Sequence, residues 1–193
     1  MSAGEKTNSD GNVLVLRTCN ADLTSYGGFK WPESGNVECP DWKPTKECGN
    51  GLHGWLWGEG EGSLANWGAD AKWLVVRIAK DTVIDLGGKV KFPAGEVIYC
   101  GDRNGATEFL AANGGDGRAI IGGTATAGYR GTATAGDGGT ATAGYGGVIA
   151  IQYWNGKRYK LKIAQVKDKD GDGELKPNKK YRLTDGGDFV EAA

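Results

Sequence analysis

Between residues 123 and 147 one octad is written three times, as GTATAGYR, GTATAGDG and GTATAGYG. The same phase holds in GDGRAIIG (115–122) before it and GVIAIQYW (147–154) after it. A fixed internal period constrains the fold more tightly than any local propensity, because each repeat must adopt the same structure and stack on its neighbours. Within an octad Thr and Ala alternate, so an extended strand turns Thr124 and Thr126 one way and Ala125 and Ala127 the other. Gly and Asp then supply turns. If two octads make one coil, residues sixteen apart stack directly. Thr124 then lies over Thr140, Thr126 over Thr142 and Tyr129 over Tyr145, at roughly 4.8 Å per rung, with Asp137 and Tyr153 on the opposite edge. Alanine suits a narrow interior, and glycine suits corners that need a permissive backbone. An antiparallel meander with GDGG turns is the competing arrangement. The β-solenoid is preferred, because like positions stacking on like positions explains why the octads match so closely.

The excess of glycine belongs to this segment. Of 35 glycines, 13 fall in 114–147, and with 5 prolines and 39% hydrophobic residues the chain reads as folded. A formal net charge of −1 gives no global electrostatic reason to expect nucleic acid. No apolar run has membrane-spanning length, so no membrane is expected, and the polar start MSAGEKTNSDGN lacks a signal-peptide core. These features predict a cytosolic chain with reduced thiols. Cys39, Cys48 and His53, with Cys100, contain the residue types of a zinc site. Their C-x8-C-x4-H spacing lacks the close pair of common zinc knuckles, so no metal and no cofactor is expected.

Four segments follow from composition and periodicity: a disordered tail (1–11), a Trp-rich α+β domain (12–113), the octad β-solenoid (114–154) and an antiparallel β cap (155–193). The fold class is α+β, mostly β. NVLVLR (12–17) and KWLVVRIA (72–79) are strands, with shorter ones at 82–86, 90–92 and 96–100. ATEFLAANGG (106–115) reads as a short helix stopped by Asn-Gly-Gly. Residues 37–67 read as irregular. Asn155-Gly156, between VIAIQYW and KRYKLKIAQV, predicts a type I′ hairpin.

The octads AGYRGTAT and AGDGGTAT resemble the AGYGSTxT octapeptides of bacterial ice-nucleation proteins, over about thirty residues, and Thr-x-Thr rows are also the ice-binding signature of several antifreeze solenoids. CGNGLHG (48–54), WLVVRI (73–78), VIDLGGKVKFP (83–93), the octads and LKPNKKYRL (175–183) together resemble an uncharacterised family of bacteriophages and prophages. That resemblance implies a phage origin and this architecture; together with the lack of an assignable catalytic set and a repeat scaffold beside an aromatic-rich domain, it leads to the expectation of a non-enzymatic phage accessory protein in the host cytoplasm. It would bind a host protein or small metabolite and blunt a host defence. GNGLHGW is similar to the glycine-rich strand of ADP-ribosyltransferases. That likeness implies NAD contact at Arg17 and a catalytic acid at Glu108, and gives the runner-up function. A virion or repeat-spacer role is the third.

Two candidate surfaces emerge. Six of the seven tryptophans lie between 31 and 73, and His53, the one histidine, stands among them in GNGLHGWLWGEGEG. A pocket of His53, Trp55, Trp57 and Glu59, with Glu61 nearby, is one expectation. The other is the repeat face of Thr124, Thr126, Tyr129, Thr132, Thr134, Thr140, Thr142 and Tyr145. No catalytic residue can be assigned, since no nucleophile is placed beside His53. DKDGDGE (168–174) opens like a calcium loop, but its twelfth position is Lys179, so a charged turn is expected.

Overall fold

The computed structural model describes residues 11–192. All of the expected tail except Gly11 lies outside them. The chain is mostly β, and its described residues divide into two compact units, one of residues 11–60 and 65–116, the other of 61–64 and 117–192. The octads and the C-terminal strands therefore share a unit.

The first unit is a wholly antiparallel seven-stranded sheet. Its strands are β1 (Asn12–Cys19), β2 (Gly35–Glu38), β3 (Leu52–Leu56), β4 (Lys72–Ala79), β5 (Ile84–Asp85), β6 (Val90–Phe92) and β7 (Ala94–Gly101), in the order β2-β7-β4-β1-β3-β6-β5. β1 and β4, the longest paired strands, hold the centre from Asn12↔Ala79 to Cys19↔Lys72. Val15, Leu16, Leu74, Val75 and Val76 on them are fully buried, as continuous β-branched and aliphatic runs require. β3 lies in the stretch expected to be irregular. LHGWL is extended because Gly54 lets it close on β1, where a Cβ would fall 2.3 Å from the Val15 side chain and 2.5 Å from the Leu16 carbonyl oxygen.

The helix α1 (Arg103–Leu110) begins three residues before its expected start. Asp102 caps it, its side-chain oxygen accepting the Gly105 N–H at 2.8 Å, a signal stronger than alanine content. Ala106, Thr107 and Leu110 form its buried face.

In the second unit every octad contributes one strand and one turn. β8 (Thr124–Ala127) pairs in parallel with β10 (Thr140–Ala143), and β9 (Thr132–Ala135) with β11 (Val148–Trp154), each at a sixteen-residue offset. β12 (Tyr159–Gln165) runs antiparallel to β11, while β13 (Lys180–Leu183) joins β10 and β14 (Phe189–Glu191) joins β13. Ala133, Ala135, Ala141 and Ala143 pack inward with Ile149, Ile151, Val166 and Tyr181.

The turns share one hydrogen bond, from the first glycine of an octad back to the glycine three before it: Gly131 to Gly128, Gly139 to Gly136 and Gly147 to Gly144, at 3.0–3.1 Å. The third turn residue adopts positive φ, at Gly138 and Gly146 (66°) and, without the help of a missing Cβ, at Arg130 (54°). At the Asn155 hairpin only Gly156 has positive φ (88°), so the expected type I′ turn, which needs two such residues, does not form. Instead the Asn155 side-chain oxygen accepts the N–H groups of Lys157 and Arg158.

Close backbone approach sets which octad glycines are replaceable. A Cβ on Gly136 would meet the Ala119 oxygen at 2.4 Å, whereas one on Gly128 would meet nothing within 4 Å. Gly136→Ala should cost about 2 kcal/mol and lower Tm by roughly 4–8 °C. Gly128→Ala should stay within about 0.5 kcal/mol of the parent. Thermal unfolding of the two variants followed by circular dichroism checks both, and equal Tm values would refute the packing assignment.

Candidate functional site

Alternation on the octad strands separates two chemistries. The alanines supply the core, and the threonines stand exposed or half-exposed on the outer face. Because β8 and β10 are parallel and in register, Thr124 faces Thr140 and Thr126 faces Thr142. The hydroxyls of Thr124 and Thr140 lie 3.1 Å apart, within hydrogen-bond distance. The other octad ladder differs: Thr132 is paired with Val148 and Thr134 with Ala150, so a Thr row there has one member per position. Tyr129 and Tyr145 are 60% and 41% exposed at alternate turns, linked through the Arg130 N–H to the Tyr145 carbonyl at 3.0 Å. The Arg130 guanidinium lies 5.1 Å from the Tyr129 ring centroid, and Lys169 approaches the same ring at 6.0 Å. The Thr rows thus form a regularly spaced array of hydroxyls and methyls, bordered across the β10–β13 ladder by Lys180 opposite Thr142.

Asp137 takes the turn position that Tyr129 and Tyr145 hold in the neighbouring octads. It packs against Gly62, where a Cβ would fall 2.8 Å from its carboxylate, and burial pushes its carboxyl above the usual range. Burial first, then the Asp137 charge, pushes the Tyr159 hydroxyl up to about 12.

In the first unit, Trp55 and Trp57 are 2% and 8% exposed, so their rings fill the core. Trp57 holds a positive φ of 54° at the end of β3. Glu59 is half-buried beyond it. His53 sits opposite Lys91 across the β3–β6 ladder. Its pKa is lowered to about 4 by burial first and then by Lys89, Arg17 and Lys91. Its Nε2 and the Arg17 Nε are buried with no hydrogen-bond partner among the described residues. An imidazole held neutral among three cations is poorly suited to serve as a general base near neutral pH. Arg17 donates to the His53 carbonyl at 3.4 Å and lies over Trp31, while Glu108 is exposed on α1.

The residue that sequence reasoning missed is Lys91. It is fully buried, donates to the carbonyls of Glu47 and Gly49 at 2.9 and 3.2 Å, and lies 5.5 Å from the Trp42 ring centroid. Nothing in VKF distinguishes it from an exposed lysine of an alternating strand. The thiols are dispersed in their bonding: Cys39 donates to Asp41, and exposed Cys48 accepts from Lys89. Burial raises Cys19 to about 11 and also pushes Cys39 and Cys100 up. No metal-holding group of three His, Cys, Asp or Glu side chains occurs among the described residues. In DKDGDGE the Asp168 carboxylate accepts the N–H groups of Asp170 and Asp172, so the acidic loop is folded around its own first residue.

Residues 13–112 match the family described as a domain of unknown function, DUF7666. The chain belongs to that family. It is also similar to bacterial ice nucleation proteins: 42% identical over 103 residues to that of Xanthomonas campestris pv. translucens, covering 52% of this chain and 7% of the relative. The ice nucleation protein InaU of Pantoea ananas is 43% identical over 100 residues, 51% of this chain and 10% of the relative. That of Pseudomonas syringae is 42% identical over 106 residues, 54% and 9%. The matches thus span about a tenth or less of the length of these curated relatives. They are longer than the octad segment 114–154, so the likeness extends beyond the octads. No solved structure matches. These relatives correct the expectation of a phage accessory protein directed against a host defence, and with it the host-cytoplasm placement: the proteins that this chain resembles are bacterial and named for ice nucleation.

The depressed His53 pKa fixes a pH dependence. Unfolded His53 takes up its proton near 6.5 and folded His53 only near 4, so the unfolded chain binds more protons between those values. The stability that depends on neutral His53 is therefore complete above pH 6.5 and is lost as pH falls through the window down to 4. After discounting for partial exposure, about 1–2 kcal/mol should be lost between pH 7.5 and pH 5. Urea unfolding of the parent and His53→Gln at both pH values measures this, and parallel slopes in the two proteins would contradict it.

Proposed function

We propose that the second unit is a short β-solenoid of sixteen-residue coils whose outward threonines order water and bind ice, as a small relative of the ice-nucleating repeats. The observation that carries this reading is the in-register Thr124/Thr140 and Thr126/Thr142 array over an alanine interior. Parallel strands set the rungs about 4.7–4.9 Å apart, and alternate residues along a strand stand about 6.6 Å apart. Fixing hydroxyls and methyls at such spacings removes in advance the side-chain entropy that ordering on contact with a lattice would cost. Tyr129 and Tyr145 border the array, and Thr132 and Thr134 extend the reading to the second octad ladder. The names of the relatives support it, since the likeness extends outside the repeat.

Size separates binding from nucleation. An ice embryo persists only above a critical dimension, and a two-by-two Thr array organises few waters. The chain as it stands is therefore assigned ice binding, with nucleation growing as coils are added. Ice-recrystallisation assays should show that the chain slows crystal coarsening. The variant Thr126→Lys should abolish this without loss of fold, because Thr126 is exposed on the edge strand of its sheet. Successive insertions of a copy of residues 124–139 after Gly139 keep the sixteen-residue phase and should raise droplet-freezing temperature step by step. Crystal coarsening equal to that with the lysine variant, and freezing independent of coil number, would sink the proposal.

A further inference from the structure

The first unit carries a second surface, separate from the threonine rows. β4 and β7 are antiparallel neighbours, with Trp73 opposite Gly101, so the start of β4 and the end of β7 lie at the same end of the sheet. The segments that meet there are the loop 65–71 and the first residues of α1. Between them is a cavity of about 340 Å³, lined by Trp67, Trp73, Asp102, Arg103 and Asn104 among others. That is within the range of small-ligand sites.

Its aromatic wall is built and held. Trp73 is buried at 2% exposure and receives Trp67 edge-on, with ring centroids 5.6 Å apart at 61°. Trp67 itself is 42% exposed, a large apolar ring left at the surface. The preceding residue fixes its loop. The Asn66 N–H donates to the Thr18 hydroxyl at 2.9 Å, the Asn66 side-chain amide donates to the Cys19 carbonyl and to Asn20, and its oxygen accepts the Gly68 N–H at 3.0 Å. A loop tied at three points to residues 18–20 and closed on itself by a fourth bond presents its ring with little further ordering on binding.

The polar wall is of a different kind. Asp102 uses one carboxylate oxygen for the Gly105 N–H at 2.8 Å, which sets the helix start and leaves the second as an acceptor. Arg103 and Asn104 follow it, both exposed. One carboxylate, one guanidinium and one amide balance in charge, so the cavity has no excess of cations to select a phosphate. What they share is planar geometry, with paired donors and acceptors that match two adjacent hydroxyls. A ligand with a C–H face for an indole and a rim of vicinal hydroxyls fits both walls.

We propose that this cavity binds a neutral pyranose sugar, whose C–H face lies on Trp67 and whose hydroxyls bond to Asp102, Arg103 and Asn104. Saturation-transfer NMR on the full chain with methyl hexopyranosides and methyl N-acetylhexosaminides at millimolar concentration tests it, with AMP as the aromatic anionic comparison. The expected result is transfer to at least one pyranoside. Its affinity, measured by titration, should fall at least tenfold in Trp67→Ala and in Arg103→Ala. Asp102→Asn, which keeps a competent helix cap, should weaken the same sugar while Tm stays unchanged. Three results would overturn the proposal: no transfer to any pyranoside, transfer to AMP alone, or sugar binding that persists at parent affinity in both Trp67→Ala and Arg103→Ala. Because Arg103 is exposed, loss in that variant with an unchanged circular dichroism spectrum is not explained by unfolding.

Discussion

Successive runs of the octad chain approach so closely at the turns that no side chain fits between them. The Gly139 and Gly147 Cβ positions would fall 2.7 and 2.8 Å from the carbonyl oxygens of Gly123 and Gly131, each sixteen residues earlier. Those carbonyls accept the N–H groups of Thr140 and Val148 at 2.9 Å, so the glycines permit the very bonds that lock one run to the next. The alanine interior has the same cause. With the runs set by glycine contacts, little volume remains between the two ladders, and the smallest apolar side chain fills it. Larger residues enter where the ladders meet the C-terminal segments, among them Ile149, Ile151, Val166, Leu175 and Tyr181.

The first unit is held by other means. Its centre is conventional aliphatic burial on β1 and β4, but its β3–β6 margin buries a lysine whose Nζ is satisfied by main-chain carbonyls. Such a charge is tolerated only with hydrogen bonds, and it disfavours a second cation beside it. His53, across the ladder, is kept neutral by burial first, and then by Lys89, Arg17 and Lys91.

Much of the octad pairing could be read from the chain, because an exact repeat leaves few consistent registers and TATA shows which face is buried. The first unit was less legible. LHGWL reads as irregular because Gly54 and the flanking glycines mimic loop composition, while its strand character depends on contact with Val15 and Leu16, far away in sequence. Trp55 and Trp57 look like pocket walls by type, and only the packed sheet shows that they are core. The capping role of Asp102 was visible in principle, as Asp three residues before Gly105, but alanine content drew the helix start inward. Lys91 left no trace at all, since burial of a charge is decided by carbonyls that a loop brings from residues 47 and 49.

The octad turns differ at one place in a way that bears on how such chains change over time. Arg130 adopts the left-handed backbone that Gly138 and Gly146 adopt without strain, yet its turn closes with the same bond, from the Gly131 N–H to the Gly128 carbonyl, that closes theirs. The step from one run to the next is therefore indifferent to much of what the turn residues carry. Duplication of a sixteen-residue stretch in the gene would lengthen the ladder while leaving both of its ends as they are. Length is thus the trait that heredity can adjust most freely in this architecture, with no new core to invent at each step.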